Sequence, residues 1–275
     1  SIGGKSITKA EQAAVEFANS KGALVVVAAG NDGANIKDYS PAGLDGVIVA
    51  AAINSEGRRE NYSNWGNVDI AAPGSDIVSL RAARTDLMQF ELKDYKPGTN
   101  VIGRERLLYY ASGTSFAAPY VTGVASLLLS INPKLTAAEV KRMILQSAKD
   151  IDVPGTDQFT GYGLLDAAAA LKADPKFHVD AAIDGVGVVN KGGPQVRVTG
   201  TADADKFKRA WIEIGKGENP GRWKKVAQVR KAVQGGTLGD IPAAEFGGAK
   251  EWVIRLVVEH RNGRKRENRF ILKLG

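Results

Sequence analysis

ALVVVAAG, residues 23–30, sets the fold class of this chain. It holds no polar residue and no alternation, so a strand built on it is apolar on both faces. Strands of that kind belong inside a parallel sheet covered by helices. VIVAAA at 47–52 and VDIAAP at 68–73 read as further strands of the same sheet. Ahead of the first run, Thr8 and Glu11 form a capping box, which starts a helix running to about Ser20. Ala10, Ala13, Ala14, Phe17 and Ala18 supply its apolar face at helical spacing, and Gly22 closes it. Helices between apolar strands make the class α/β.

In open parallel sheets the functional groups lie just past the C-terminal ends of strands. The first strand ends in Gly30, Asn31, Asp32 and Gly33, which by residue type alone is also a turn. The second informative stretch is YASGTSFAAPYVTGVASLLLSI, residues 110–131. Gly113, Thr114 and Ser115 form a small turn, and Phe116–Leu129 is almost entirely Ala, Val, Leu, Gly or a small hydroxyl. A helix apolar on nearly all faces is expected to be buried. Ser115 stands at its N-terminus, where unpaired N–H groups and the positive dipole end favour negative charge near a hydroxyl. A serine there is also a common cap.

GTSFAAP resembles the nucleophile signature of the subtilisin-like serine proteases, Gly-Thr-Ser-x-Ala-x-Pro, which opens their long central helix. The resemblance implies that Ser115 is a nucleophile. Tyr120 stands where the family usually has a His outside its triad. Ala28, Ala29, Gly30 and Asn31 are similar to the family's Ala-Ala-Gly-Asn, which implies that Asn31 is the oxyanion donor, a role worth about 10²–10³ in turnover in subtilisin. Ser1, Ile2, Gly3 and Gly4 resemble a Ser-x-Gly-Gly segment whose backbone pairs with the bound peptide. With Ala28, Ala29, Gly30 and Thr114 they form the implied substrate-binding set. Tyr39, Ser40, Pro41 and Ala42 are similar to a string in proteinase K-like members whose X-Pro bond is cis. NWGNVDIAAPG resembles the strand before the nucleophile loop, and by that resemblance Asp69, with the carbonyls of Asp45 and Val47, binds a structural calcium ion. No cofactor is implied for the chemistry.

Between Leu80 and Tyr109 a polar, charged insertion departs from the family's compact pattern. It reads as an ordinary solvated loop or as a fringe of the substrate cleft. Asn132 and Pro133 then break the chain. Thr136 and Glu139 form a second capping box, with Val140, Ile144 and Leu145 on one face of a helix to Ala148. GYGLLDAAAAL, at 161–171, matches the family's closing helix. The resemblance thus covers residues 1–173, roughly the second half of a catalytic domain. From Phe177 the texture changes to short alternating runs, QVRVTGTA, RAWIEIGKG, WKKVAQV and EWVIRLVVEHRNGRK, which suggest an all-β sandwich resembling immunoglobulin or fibronectin-like modules. The expected domains are residues 1–175 and 176–275.

Composition narrows the partners. With 275 residues, 44% hydrophobic and 24% charged, the chain is ordinary globular material. Residues 176–275 hold 20 Lys and Arg against 11 Asp and Glu, a net +9, whereas residues 1–175 hold 17 against 19, a net −2. The basic module could meet an anionic polymer or surface, or serve as a spacer. No nucleic-acid-binding motif is present. There are no cysteines, hence no disulfides and no thiolate chemistry. No run reads as a membrane span, and SIGGKSITKAEQ does not read as a signal peptide. Family resemblance implies a secreted or extracytoplasmic protein acting on polypeptides.

One requirement of the family is missing. Its mechanism needs an Asp and a His that precede the Ser in sequence. The chain holds only His178 and His260, both after Ser115. The expectation is a serine endopeptidase whose Asp and His lie on an N-terminal part of the same catalytic domain, this chain alone being nearly inactive. The alternative is a non-catalytic scaffold whose basic sandwich binds a surface or polymer.

Overall fold

The computed structural model describes residues 1–82, 85–86 and 95–274. Packing divides the chain into two compact units, Ser1–Leu127 with Gln158–Thr160, and Leu128–Asp157 with Gly161–Gly275.

The first unit runs β1 (Gly4–Lys5), α1 (Lys9–Ser20), β2 (Val25–Ala28), β3 (Tyr39–Ser40), β4 (Val47–Ile53), β5 (Ile70–Pro73), β6 (Ile77–Leu80), β7 (Val101–Ile102), β8 (Leu108–Ala111) and then most of α2 (Thr114–Ile131), whose residues 128–131 fall in the second unit. The three apolar runs do form a parallel sheet, in the order β2-β4-β5, with Val27 opposite Val49 and Ala50 opposite Ile70. All seven residues of β4 are buried, as an unalternating run at the centre of a sheet requires. β2 is not central: among the described residues its second edge has no partner. β1 pairs with β3, and β6, β8 and β7 form an antiparallel sheet whose middle strand leads directly into α2.

α1 has the expected start, with Thr8 Oγ1 accepting the Glu11 N–H and Glu11 reaching back to the Thr8 N–H. Its buried face differs from the one its apolar residues indicate. Ala10, Ala13 and Ala14 are exposed and Phe17 is 65% exposed, while Val15 is buried. Polar side chains hold that side of the helix down: Asn19 donates to the Gly46 carbonyl, and Gln12 accepts the Asp45 N–H. α2 also departs from expectation. Ala117, Ala118, Val121, Val124, Ala125 and Leu128 are buried, but Tyr120, Leu127, Leu129 and Ile131 are 39–69% exposed. Helix periodicity identifies an apolar surface, and burial additionally needs an element to cover it. By length and composition α2 could also cross a membrane. Its buried stripe marks it as a helix packed on one side.

Of the insertion, residues 83–84 and 87–94 lie outside the described residues. Within the described part, the buried Asp86 accepts hydrogen bonds from the Tyr95 and Tyr109 hydroxyls and the Gly98 N–H. That part is tied to β8 and is not a free loop.

The second unit holds α3 (Ala137–Ser147), capped by Thr136 and Glu139, and the short α4 (Ala167–Ala170). Val140, Ile144 and Leu145 are buried as expected, joined by Met143 and Gln146. Seven strands follow: β9 (Val179–Asn190), β10 (Pro194–Ala204), β11 (Phe207–Lys216), β12 (Lys224–Val229), β13 (Val233–Pro242), β14 (Glu251–His260) and β15 (Lys265–Lys273). They make two antiparallel sheets, β13-β10-β9 and β12-β11-β14-β15, which share one core including Val198, Ile212, Ile241, Ile254 and Leu256. α3 and the loop after it are bonded into this unit. Gln146 Nε2 and the Tyr162 hydroxyl both donate to Asp180 Oδ1, and Asn268 Nδ2 donates to the Thr156 carbonyl.

Many basic residues of the sandwich are engaged within it. Arg255 pairs with Glu213, and Arg269 with Glu267. Lys208 and Arg209 both pair with the buried Glu259 at 2.7 Å. The Lys208 hydrogen bond first, then that of Arg209, hold the Glu259 carboxyl down to about 2 against the desolvation that would raise it. A depressed acid stabilises the fold above its unfolded pKa and loses that contribution as pH falls through the folded one. Glu259→Gln should therefore lower Tm most at neutral pH and least near pH 2, flattening the acid limb of thermal stability between about pH 4.5 and 2, as followed by Tm across a pH series.

Candidate active site

The site is assembled where β2 and α2 end and begin. Past Ala28 the chain turns through Ala29, Gly30 and Asn31, and Gly30 adopts φ +102°, a left-handed conformation suited to glycine. Asn31 faces the first turn of α2. Its Oδ1 accepts both the Thr114 N–H at 2.8 Å and the Thr114 hydroxyl at 3.0 Å. A backbone N–H can only donate, so the atom facing it must be the amide oxygen. The Asn31 Nδ2 is thereby left as a donor, over Gly113 and on the exposed side of the loop. Thr114, fully buried, closes the arrangement by accepting the Gly30 N–H on its own hydroxyl at 2.9 Å.

Ser115 follows in the first helical turn and is partly exposed. Its N–H belongs to the first-turn amides that have no carbonyl partner within the helix, at the positive end of the dipole. Its carbonyl is also left without a helical partner, because the donor four residues on would be Pro119, which has no N–H. The Ser1 hydroxyl takes that place, donating to the Ser115 carbonyl at 2.7 Å. The proline of the GTSFAAP string thus frees a backbone oxygen that the SIGG segment then binds.

A cavity of ≈ 470 Å³ opens between these elements. Ser1, Ile2, Gly3, Gly4, Ala28, Ala29, Gly30, Asn31, Thr114 and Ser115, all ten catalytic and substrate-binding candidates, line it. It is also lined by Lys5, Asp32, Tyr39, Ser40 and Ala42, which the motif reading did not place in the site. Tyr39, Ser40 and Ala42 were visible in sequence as part of the YSPA string, and the Ser40–Pro41 bond is cis. Burial first, and then the Asp32 carboxylate bonded to its hydroxyl, push the Tyr39 phenol above its ordinary range. The arrangement offers a hydroxyl at a helix N-terminus, a fixed neutral amide donor, and a pocket walled by backbone and alanine methyls. That is the equipment for attack on a carbonyl and for holding the resulting oxyanion.

The remaining candidates lie elsewhere. Asp69 Oδ2 accepts the Val49 N–H at 2.8 Å, and the Asp69 N–H donates to the Val49 carbonyl, so this side chain clamps β4 to the start of β5. Asp45 is exposed, and Gln12 Nε2 reaches its carbonyl at 3.5 Å. A carboxylate with two carbonyls is an oxygen-only set of the kind that suits Ca²⁺. Among the described residues no three His, Cys, Asp or Glu converge to hold a metal. His260 is 3% exposed, accepts the Asn262 N–H on Nδ1 and turns Nε2 to Asp205 at 3.2 Å. His178 faces Asp203. Both belong to the sandwich and pair with its own acids.

Comparison with known proteins points the same way as this geometry. The model of the subtilase family matches residues 1–163. The chain is 37% identical over 174 residues to an extracellular protease of Xanthomonas campestris pv. campestris, covering 62% of this chain and 27% of that protein. It is 34% identical over 174 residues to a cell wall-associated protease of Bacillus subtilis, covering 54% and 17%. Fervidolysin of Fervidobacterium pennivorans is 32% identical over 176 residues, covering 62% and 25%. The chain therefore spans about a quarter or less of these relatives' lengths. Among solved structures, a protease of Pseudoalteromonas arctica superposes with a TM-score of 0.51 at 31% identity, covering 62% of this chain and 49% of that one.

Proposed function

This chain belongs to the subtilase family, and from that premise we propose that it carries the nucleophile half of a serine endopeptidase. Ser115 attacks the peptide carbonyl, and the Asn31 Nδ2 and the Ser115 N–H hold the oxyanion. Collapse of that intermediate breaks the C–N bond and releases the amine half of the substrate, protonated by the general base acting as acid. Water then hydrolyses the acyl-enzyme and frees Ser115. The carrying observation is the Asn31 amide, its oxygen locked by Thr114 and its Nδ2 over Gly113, lining the same cavity as Ser115. Ser1–Gly4 and Ala28–Gly30 form the walls that receive the substrate chain, and main-chain pairing along Gly3 and Gly4 accepts many sequences.

The general base and its orienting acid come, in this proposal, from an N-terminal part of the same catalytic domain. Three features support that reading. The second edge of β2 is unpaired among the described residues. The Phe17 side of α1 is exposed, and so are Leu127, Leu129 and Ile131 on the two flanks of the buried stripe of α2. An unpaired edge and exposed apolar side chains are liabilities that a folded domain covers. The division into a catalytic part, residues 1–175, and a β-sandwich module, residues 176–275, belongs to the same proposal, as does secretion, which the names of the relatives support.

A fluorophosphonate probe tests the reading. The complete protein should be labelled at Ser115 and the 275-residue chain alone should react far more slowly. Absence of labelling in the complete protein would overturn it. The calcium site is a separate part of the proposal: Asp69 and the carbonyls of Asp45 and Val47 would hold a structural ion at the start of β4, supplying cohesion and no chemistry. Calcium should raise Tm in the parent and not in Asp69→Ala, and an equal rise in both would remove the site.

A further inference from the structure

Behind the loop that presents Asn31 lies a side chain that the motifs do not assign. Asn64 is fully buried. Its Oδ1 accepts the N–H groups of Asp32 and Ala34, both at 2.9 Å, and its Nδ2 donates to the Ala29 carbonyl at 3.0 Å. Its own backbone N–H donates to the Gly30 carbonyl at 2.9 Å. Four hydrogen bonds from one residue therefore bracket Asn31 on both sides. The carboxamide occupies the space a side chain at residue 30 would fill, since a Cβ on Gly30 would stand 2.3 Å from Asn64 Nδ2. Three backbone groups of this loop, the Asp32 and Ala34 N–H and the Ala29 carbonyl, are satisfied by this one side chain.

We infer that Asn64 is a positioning residue for the oxyanion donor, acting through the shape of the Ala29–Ala34 loop. The inference rests on the serine-protease reading and deepens it. Thr114 fixes the rotation of the Asn31 amide from the side of α2, and Asn64 fixes the backbone from which that amide projects. Only the transition state makes full use of a donor at that place, so a displaced loop lowers turnover and leaves ground-state binding alone. Asn64 touches neither the substrate cavity nor Ser115 among the contacts described, so its effect on the reaction must pass through Asn31.

The experiment is a double-mutant cycle in the complete protein, comparing Asn64→Ala and Asn64→Asp in the parent and in Asn31→Ala. Asn64→Asp keeps the size and both acceptor bonds, but sets a carboxylate oxygen against the Ala29 carbonyl. It carries the test if the alanine variant does not fold. Each substitution should lower kcat about tenfold or more, a share of the ~10²–10³ carried by an oxyanion donor, with KM little changed. In the Asn31→Ala background the same substitutions should cost almost nothing further, because the donor they position is gone. A kcat loss of equal size in both backgrounds, or an unchanged kcat in Asn64→Asp, would overturn the role. Should Asn31→Ala itself leave kcat intact, the oxyanion reading fails, and that result is distinct from either outcome for Asn64.

Discussion

Replacing Ser115 by alanine in the complete protein should reduce peptide hydrolysis by about 10⁶ in kcat, the scale on which loss of the nucleophile acts in subtilisin. The size follows from what the hydroxyl does. Without it no acyl-enzyme forms, and the surviving oxyanion donor and binding walls can accelerate only direct attack by water, worth roughly 10³–10⁴. Fold and stability should hardly change. Ser115 is partly exposed, its N–H stays at the helix terminus, and its carbonyl keeps the bond from Ser1. The measurement is turnover on a peptide substrate beside a melting curve. Full turnover with an intact fold would mean that this site is not the catalytic one.

The second large effect is expected at Asn31. Asn31→Ala should cut kcat by about 10²–10³ and leave KM nearly unchanged, since the Nδ2 donor acts on charge that develops only in the transition state. The variant also strips the Thr114 N–H and hydroxyl of their shared acceptor, so Asn31→Asp makes the sharper test. A carboxylate keeps an acceptor for Thr114 and puts an oxygen where the donor stood, which leaves the oxyanion facing negative charge. A loss at least as great as that of the alanine variant is expected, read as kcat and KM separately. A rise in KM with constant kcat would assign Asn31 to ordinary substrate binding.

Much of this site was legible because its parts are local strings. AAGN, GTSFAAP and SIGG each place a chemical group relative to its own backbone, and each has a reason to do so within a few residues. The glycine permits a left-handed turn, the proline frees a carbonyl, and the serine sits at a helix start. Capping at Thr8 and Thr136 was equally readable, since a capping box is complete within four residues. The strands β10, β11, β12 and β14 were marked by alternating apolar residues. β9 and β13 were not, because AIDGVGVV and VQGGTLGD carry glycines that erase the pattern, and they become strands only through their pairing with β10.

Residue type and spacing alone determined the α/β class, the three parallel strands and the absence of a histidine ahead of Ser115, and motif resemblance singled out that serine as the nucleophile candidate. Which surfaces are covered was decided only by the tertiary structure. α1 turns Val15 inward and leaves Phe17 out, and α2 buries one stripe of an apolar cylinder, because burial depends on a neighbour and a neighbour is not written in a helix's own sequence. The same reason hid Asn64. Its partners lie 30 to 35 residues away along the chain, and only the folded sheet brings that amide against the loop that presents Asn31.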